Sequence, residues 1–116
     1  MPNTKLQQGT IVWASVFDPN GQNPKCRPMV IITKTDEIKE DAPIVAVAIT
    51  TTLPKPLPPE YVELPWHRNG NVRTKLTKPS AAVCNWLIRI THAAIENVAG
   101  CVPSAKLIEI INRIPR

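Results

Sequence analysis

Three apolar runs set the limits on what this chain can fold into: "RPMVIIT" over 27–33, "IVAVAITT" over 44–51 and "AAVCNWLIRI" over 81–90. Each is long enough for a buried strand and too short for a helix, and β-branched residues recur through them. "TIVWASVF" (10–17) is a fourth such run, and it breaks at the turn formers of "DPNGQNP". "EYVELP" (60–65) alternates polar and apolar residues, the pattern of a strand with one wet face. Between the second and third strands, "KTDEIKEDAP" is charged and ends in proline, so it reads as a loop or a single turn. The expectation is about five or six strands.

The end of the chain is different. After "AGCVP", the segment "SAKLIEIINRI" repeats apolar residues at Leu107, Ile108, Ile111 and Ile114, a helical spacing. Pro103 and Ser104 supply start signals, Arg113 suits the negative pole of the helix, and Pro115 stops it. The predicted architecture is mainly β, a small barrel closed by one C-terminal helix. With 116 residues there is material for one domain and one core, so 1–116 is read as a single unit. Proline makes up 13 of those residues, about twice the usual share of ~5%. Four fall in "LPKPLPPE" (53–60), a stiff extended connector, since proline brings no N–H to a ladder.

Several classes are set aside. No apolar run approaches the ~18 residues of a membrane span, and "MPNTKLQQGT" has no secretory core, so a cytoplasmic location is expected. Cys26, Cys84 and Cys101 form an odd set without CxxC spacing, and His67 and His92 are the only histidines. Free thiols and no metal site are expected. The net charge of +5 makes nucleic acid or an acidic protein a natural partner. The loop "HRNGNVRTKLTKPS" (67–80) carries Arg68, Arg73, Lys75 and Lys78 and no acid. With Lys25 these are candidate phosphate contacts. Trp66, at a strand end, is a candidate stacking platform for an unpaired base, an interaction worth ~1–3 kcal/mol. Trp13 and Trp86 lie within strands and are expected in the core.

Arg27 stands at the mouth of a buried run, fixed by Pro28. The order "GTIVWASVFDPNGQNPKCRPMVII", "VAITT", "VELP", "KPSAAVCNW" and a closing helix resembles the MazF/PemK family of toxins across nearly the whole chain. The resemblance implies a five-stranded SH3-like barrel of the MazF/CcdB kind, a homodimer, and sequence-selective, metal-independent cleavage of single-stranded RNA that leaves a cyclic phosphate. It also implies a cognate antitoxin whose acidic C-terminal segment occupies the RNA groove, with DNA reached through the antitoxin complex, and no cofactor. It assigns catalysis to Arg27, from the Arg-Pro element, and Thr50, from the Ile-Thr element.

Those residue types suit the reaction. When a 2′-OH attacks the adjacent phosphorus, the phosphate must be held in line while charge grows on its oxygens. Arginine offers a rigid fork of donors and never deprotonates, and a strand-end hydroxyl can serve a second oxygen. The proton carriers are less plain. Where some members have an arginine and an acid at the fifth strand, this chain has Val83 and Asn85, and an amide is no base. Asp18 is the sole acid of the loop before Arg-Pro and precedes Pro19, a turn position. His67 has a suitable ordinary pKa. Asp18, His67 and Asn85 are therefore the candidates. The competing readings are a weak or inactive barrel that binds RNA or a peptide without cutting, and a gyrase poison of the CcdB type.

Overall fold

The computed structural model describes residues 6–16, 20–22 and 25–115. Six strands, β1 (Thr10–Val16), β2 (Lys25–Ile31), β3 (Ile44–Thr50), β4 (Tyr61–Leu64), β5 (Ser80–Ile90) and β6 (Ile95–Cys101), precede one helix, α1 (Ser104–Arg113). They form one antiparallel sheet in the order β4-β5-β3-β2-β1-β6. The mainly β expectation holds, with an open sheet in place of a closed barrel: β4 and β6 are its two edges. β6, "IENVAGC", is the strand that the sequence pattern does not announce, because it has no continuous apolar run and none of its residues is fully buried.

Both faces of the sheet are apolar, which explains why the central strands read as unbroken runs. One cluster takes Ile11, Val30, Val47, Ile49, Val62, Cys84 and Ile110; the other takes Val12, Ala14, Met29, Ile31, Ile44 and Ala46. Neighbours along each strand alternate between the two clusters, as a two-residue period requires. Helix α1 covers the first. Ile110 is fully buried, with Leu107 and Ile114 packed beside it. Ile108, expected on that stripe, is 61% exposed. The stripe runs 107, 110, 111, 114, and Ile108 falls one step around the helix from it. Arg113 pins the helix by donating from Nη1 to the carbonyls of Pro59 (2.8 Å) and Tyr61 (3.2 Å).

Two irregularities position the site. Pro28 lies in β2 opposite Trp13, and the β2–β3 pairing runs only over Met29, Val30 and Ile31. Proline brings no N–H to carry it further, so the end of β3 is free to part from β2. The second lies between β3 and β5. Val47 faces Leu87 while Ile49 faces Ala82, so Val83, Cys84, Asn85 and Trp86 all stand against Ala48. The first half of β5 follows β4 instead, through Tyr61 opposite Val83 and the Cys84 N–H on the Glu60 carbonyl at 2.8 Å. β5 thus turns a corner at Asn85–Trp86.

The loop between β4 and β5 bridges the two edges. The Cys101 N–H at the end of β6 donates to the Arg73 carbonyl at 3.0 Å. Gly100 makes this approach feasible: a Cβ there would stand 2.0 Å from the Arg73 oxygen. The buried Thr74 hydroxyl donates to the Pro65 carbonyl at 2.6 Å, and the His67 N–H donates to the Leu76 carbonyl at 2.9 Å.

Candidate active site

A cleft of about 580 Å³ opens where β2 and β3 part. Lys25, Arg27 and Pro28 form one wall, Thr50, Thr51 and Thr52 the next, and Lys75, Thr77, Lys78 and Ser80 the third; Trp13 lies at its β1 side. Met29 and Ala48 are the last paired rung of β2 and β3; two residues beyond it, on the parting strands, come Arg27, paired to Ala14 of β1, and Thr50, paired to Ala81 of β5. Neither residue depends on a loop for its place.

The cleft holds four cationic side chains and no acidic one among the residues that line it. The ion pairs among the described residues join Glu109 to Lys106 (3.8 Å) and to Arg113 (2.8 Å), far from these cations. Among the described residues none of the four cleft cations is in an ion pair. Arg27 is half-buried, its Nε is buried without a hydrogen-bond partner, and its guanidinium carbon lies 5.2 Å from the centroid of the Trp86 ring. A buried donor without a partner costs ~1–3 kcal/mol. The Thr50 hydroxyl oxygen accepts the Thr52 N–H at 3.1 Å, which leaves its own proton free to donate outward.

Lys75 adopts φ 61°, a left-handed backbone that few side chains other than glycine take up, and its N–H donates to the Val72 carbonyl at 3.0 Å. Cys26 shares the cleft, but desolvation, then the Glu96 carboxylate, push its thiol up. Burial chiefly raises Cys84 as well, with Glu109 and Glu60 adding to it and Arg113 opposing. Both remain thiols at neutral pH, so neither supplies a thiolate nucleophile. Among the described residues no three His, Cys, Asp or Glu side chains gather as metal ligands, and no helix is long and apolar enough to cross a membrane.

Of the residues singled out in the sequence, Lys25, Arg27, Thr50, Lys75 and Lys78 come together here. Trp66, His67, Arg68 and Arg73 are exposed on the same loop and do not line the cleft. The His67 Nδ1 accepts the Asn69 N–H at 3.2 Å. Asn85 lies at the β5 corner in a shallow depression of about 400 Å³ with Tyr61, Val83 and Trp86. Asp18 lies outside the described residues. Two tryptophans expected in the core are not there: Trp13 lines the cleft and Trp86 lies under Arg27, because Pro28 opens the strands beside one and the β5 corner lifts the other out. Strand propensity carried no sign of either event. Thr51, Thr52, Thr77 and Ser80 were missed too, though the hydroxyl run after Thr50 was in plain view.

A cleft lined by cations and hydroxyls, and by no acid among the described residues, has the chemistry to suit a polyanion. Residues 7–116 match the model of the PemK-like, MazF-like toxins of type II toxin-antitoxin systems, and the chain belongs to that family. No curated protein sequence matches it significantly. Among solved structures it is similar to MazF of Deinococcus radiodurans, with a TM-score of 0.73 at 16% identity, covering 97% of this chain and 94% of that one. An endoribonuclease from a mycobacterial species superposes with a TM-score of 0.70 at 16% identity over 96% of this chain and 88% of that one. A mycobacterial endoribonuclease in complex with its cognate antitoxin gives 0.68 at 17% identity, covering 94% and 90%. At such identities the likeness is one of fold.

Proposed function

We propose that this toxin-family domain is a sequence-selective endoribonuclease that cleaves single-stranded RNA without a metal, by attack of a 2′-OH on the neighbouring phosphodiester. The observation that carries the reading is the convergence of Arg27 and Thr50, from adjacent strands, on a cleft whose described lining residues include four cations and no acid. The scissile phosphate sits between them. Arg27 donates to one non-bridging oxygen and offsets the charge that grows there, and the Thr50 proton serves the other. The 2′-oxygen bonds to phosphorus, the 5′-oxygen leaves, and the products are a 2′,3′-cyclic phosphate and a new 5′-OH end. Lys25, Lys75 and Lys78 hold flanking phosphates, while Trp66, Arg68 and Arg73 offer a second, outer contact to longer RNA. The 2′-OH gives up its proton and the leaving 5′-oxygen takes one; water relays both, with Asp18 or His67 the candidate acid and base, while the Asn85 amide can serve only as a hydrogen-bond partner.

The same cleft suits an acidic C-terminal segment of a cognate antitoxin, which would compete with RNA for the cations; antitoxin complexes among the structural neighbours support this. A homodimer acting in the cytoplasm completes the reading. Binding without cutting is the second reading, and it has its own support: among the described residues no carboxylate or imidazole lines the cleft. Incubating the protein with a long unstructured RNA in EDTA and mapping the ends separates the two. The nuclease reading expects cyclic phosphates and 5′-OH ends that disappear with Arg27→Ala. Retention of RNA with no new ends supports the binding module, and cleavage by a folded Arg27→Ala protein at the wild-type rate overturns the assignment of Arg27.

A further inference from the structure

A guanidinium that meets a phosphate must be held in one orientation before the phosphate arrives. The usual device is a carboxylate, which fixes the group but spends its charge and two of its donors. Arg27 has no ion pair among the described residues. What stands against it is the indole of Trp86, 5.2 Å from ring centroid to Cζ. Trp86 belongs to β5 and Arg27 to β2, with β3 between them in the sheet. The two meet because of local features already described. The corner of β5 sets four residues against Ala48, and Trp86 is the last of them. Ala48 itself pairs with Met29, two residues from Arg27 and on the same face. A methyl group is all that β3 raises at this point, so the indole reaches across to the guanidinium.

Resting on the nuclease reading above, we infer that Trp86 is a positioning residue for Arg27, holding the guanidinium over its ring so that the full charge and the in-plane donors stay available to RNA. A ring face attracts the cation without accepting a hydrogen bond from it, so orientation is gained and charge is kept. The buried Nε without a partner fits this account: no hydrogen bond there competes with the ring in setting the guanidinium's orientation.

The test compares Trp86→Leu and Trp86→Phe in the wild-type and Arg27→Met backgrounds, using cleavage of a defined RNA oligonucleotide, binding of its uncleavable 2′-deoxy form, and the Arg27 Nε–Hε NMR signal. Trp86→Leu is expected to lower kcat about 3- to 30-fold with a smaller change in KM, and Trp86→Phe to restore most of it. In the Arg27→Met background the same leucine change should lower binding of the deoxy oligonucleotide by less than about 2-fold, since the cation it acts on is gone. The Nε–Hε signal, displaced by the ring current in the wild type, should move toward the free-arginine position in Trp86→Leu and only partly in Trp86→Phe. Equal losses in both backgrounds, no rescue by phenylalanine, or an unmoved signal overturns the inference. Should the wild type bind RNA without cutting it, the nuclease reading fails. The inference is then decided by the NMR signal and by the same variants' affinity for the deoxy oligonucleotide.

Discussion

The two sides of the cleft reach the same ligand by different physics. The strand side, Arg27 and Thr50, is placed by ladders: Arg27 is paired to Ala14 of β1 and Thr50 to Ala81 of β5, and buried neighbours such as Met29 and Ile49 hold the backbone beneath them. The loop side, Lys75 and Lys78, is placed by a chain of single fastenings. The Thr74 hydroxyl on the Pro65 carbonyl, the Cys101 N–H on the Arg73 carbonyl, and the left-handed turn at Lys75 each fix one point. A ladder spreads a perturbation over many hydrogen bonds, whereas a fastened loop loses its place when one is cut. The strand side is therefore suited to chemistry, which tolerates little displacement, and the loop side to holding charge near phosphate, which tolerates more.

The sharpest way to break that comparison is at Thr50. Thr50→Val keeps the shape and removes the donor, and it should lower turnover by about 10²-fold while the melting temperature changes little. A variant that instead unfolds, with unaltered turnover per folded molecule, would show that the hydroxyl serves the fold. Next is Gly100→Ala. With a Cβ 2.0 Å from the Arg73 oxygen, loop or β6 must shift, and the expected loss of stability in urea is about 1–3 kcal/mol. Its kinetic effect should appear in KM, not in kcat at saturating RNA; an equal fall in both would mean that loop and strand sides act as one unit. Thr74→Val removes the buried hydroxyl and leaves the Pro65 carbonyl unpaired, for about 1–3 kcal/mol in the same measurement. The smallest change expected is Lys75→Gly. It relieves the backbone at φ 61° and should raise stability by about 0.5–1 kcal/mol. The slope of log affinity against log salt should shrink by about 0.7, one phosphate contact on single-stranded RNA.

The strand side was also the legible one. Apolar runs of strand length name β1, β2, β3 and β5 in the sequence, and Arg27 and Thr50 are marked by their places at the ends of two of them. Lys75 and Lys78 could be read as basic but not as facing the cleft, because what turns them inward is a contact between Arg73 and β6, a strand with no apolar signature. Trp66 and His67 looked better placed than they are: chain position beside a strand end says nothing about the direction in which a loop leaves it. Trp86 was misread for the opposite reason. A tryptophan inside an apolar strand belongs in the core by pattern alone, and only the four-against-one mismatch with Ala48 redirects it. Long-range pairing irregularities of this kind depend on two strands at once, and neither strand's own sequence carries them.

The bridging of the sheet's edges has a bearing on how copies of this chain meet. An exposed strand edge is an invitation to intermolecular pairing. Here β4 has only four residues and gives its Tyr61 carbonyl to Arg113, while β6 gives its last N–H to Arg73. Edges blunted in this way discourage the recruitment of a foreign strand. A second subunit would then dock through side-chain surfaces, and the six-stranded sheet would end at β4 and β6 in each copy.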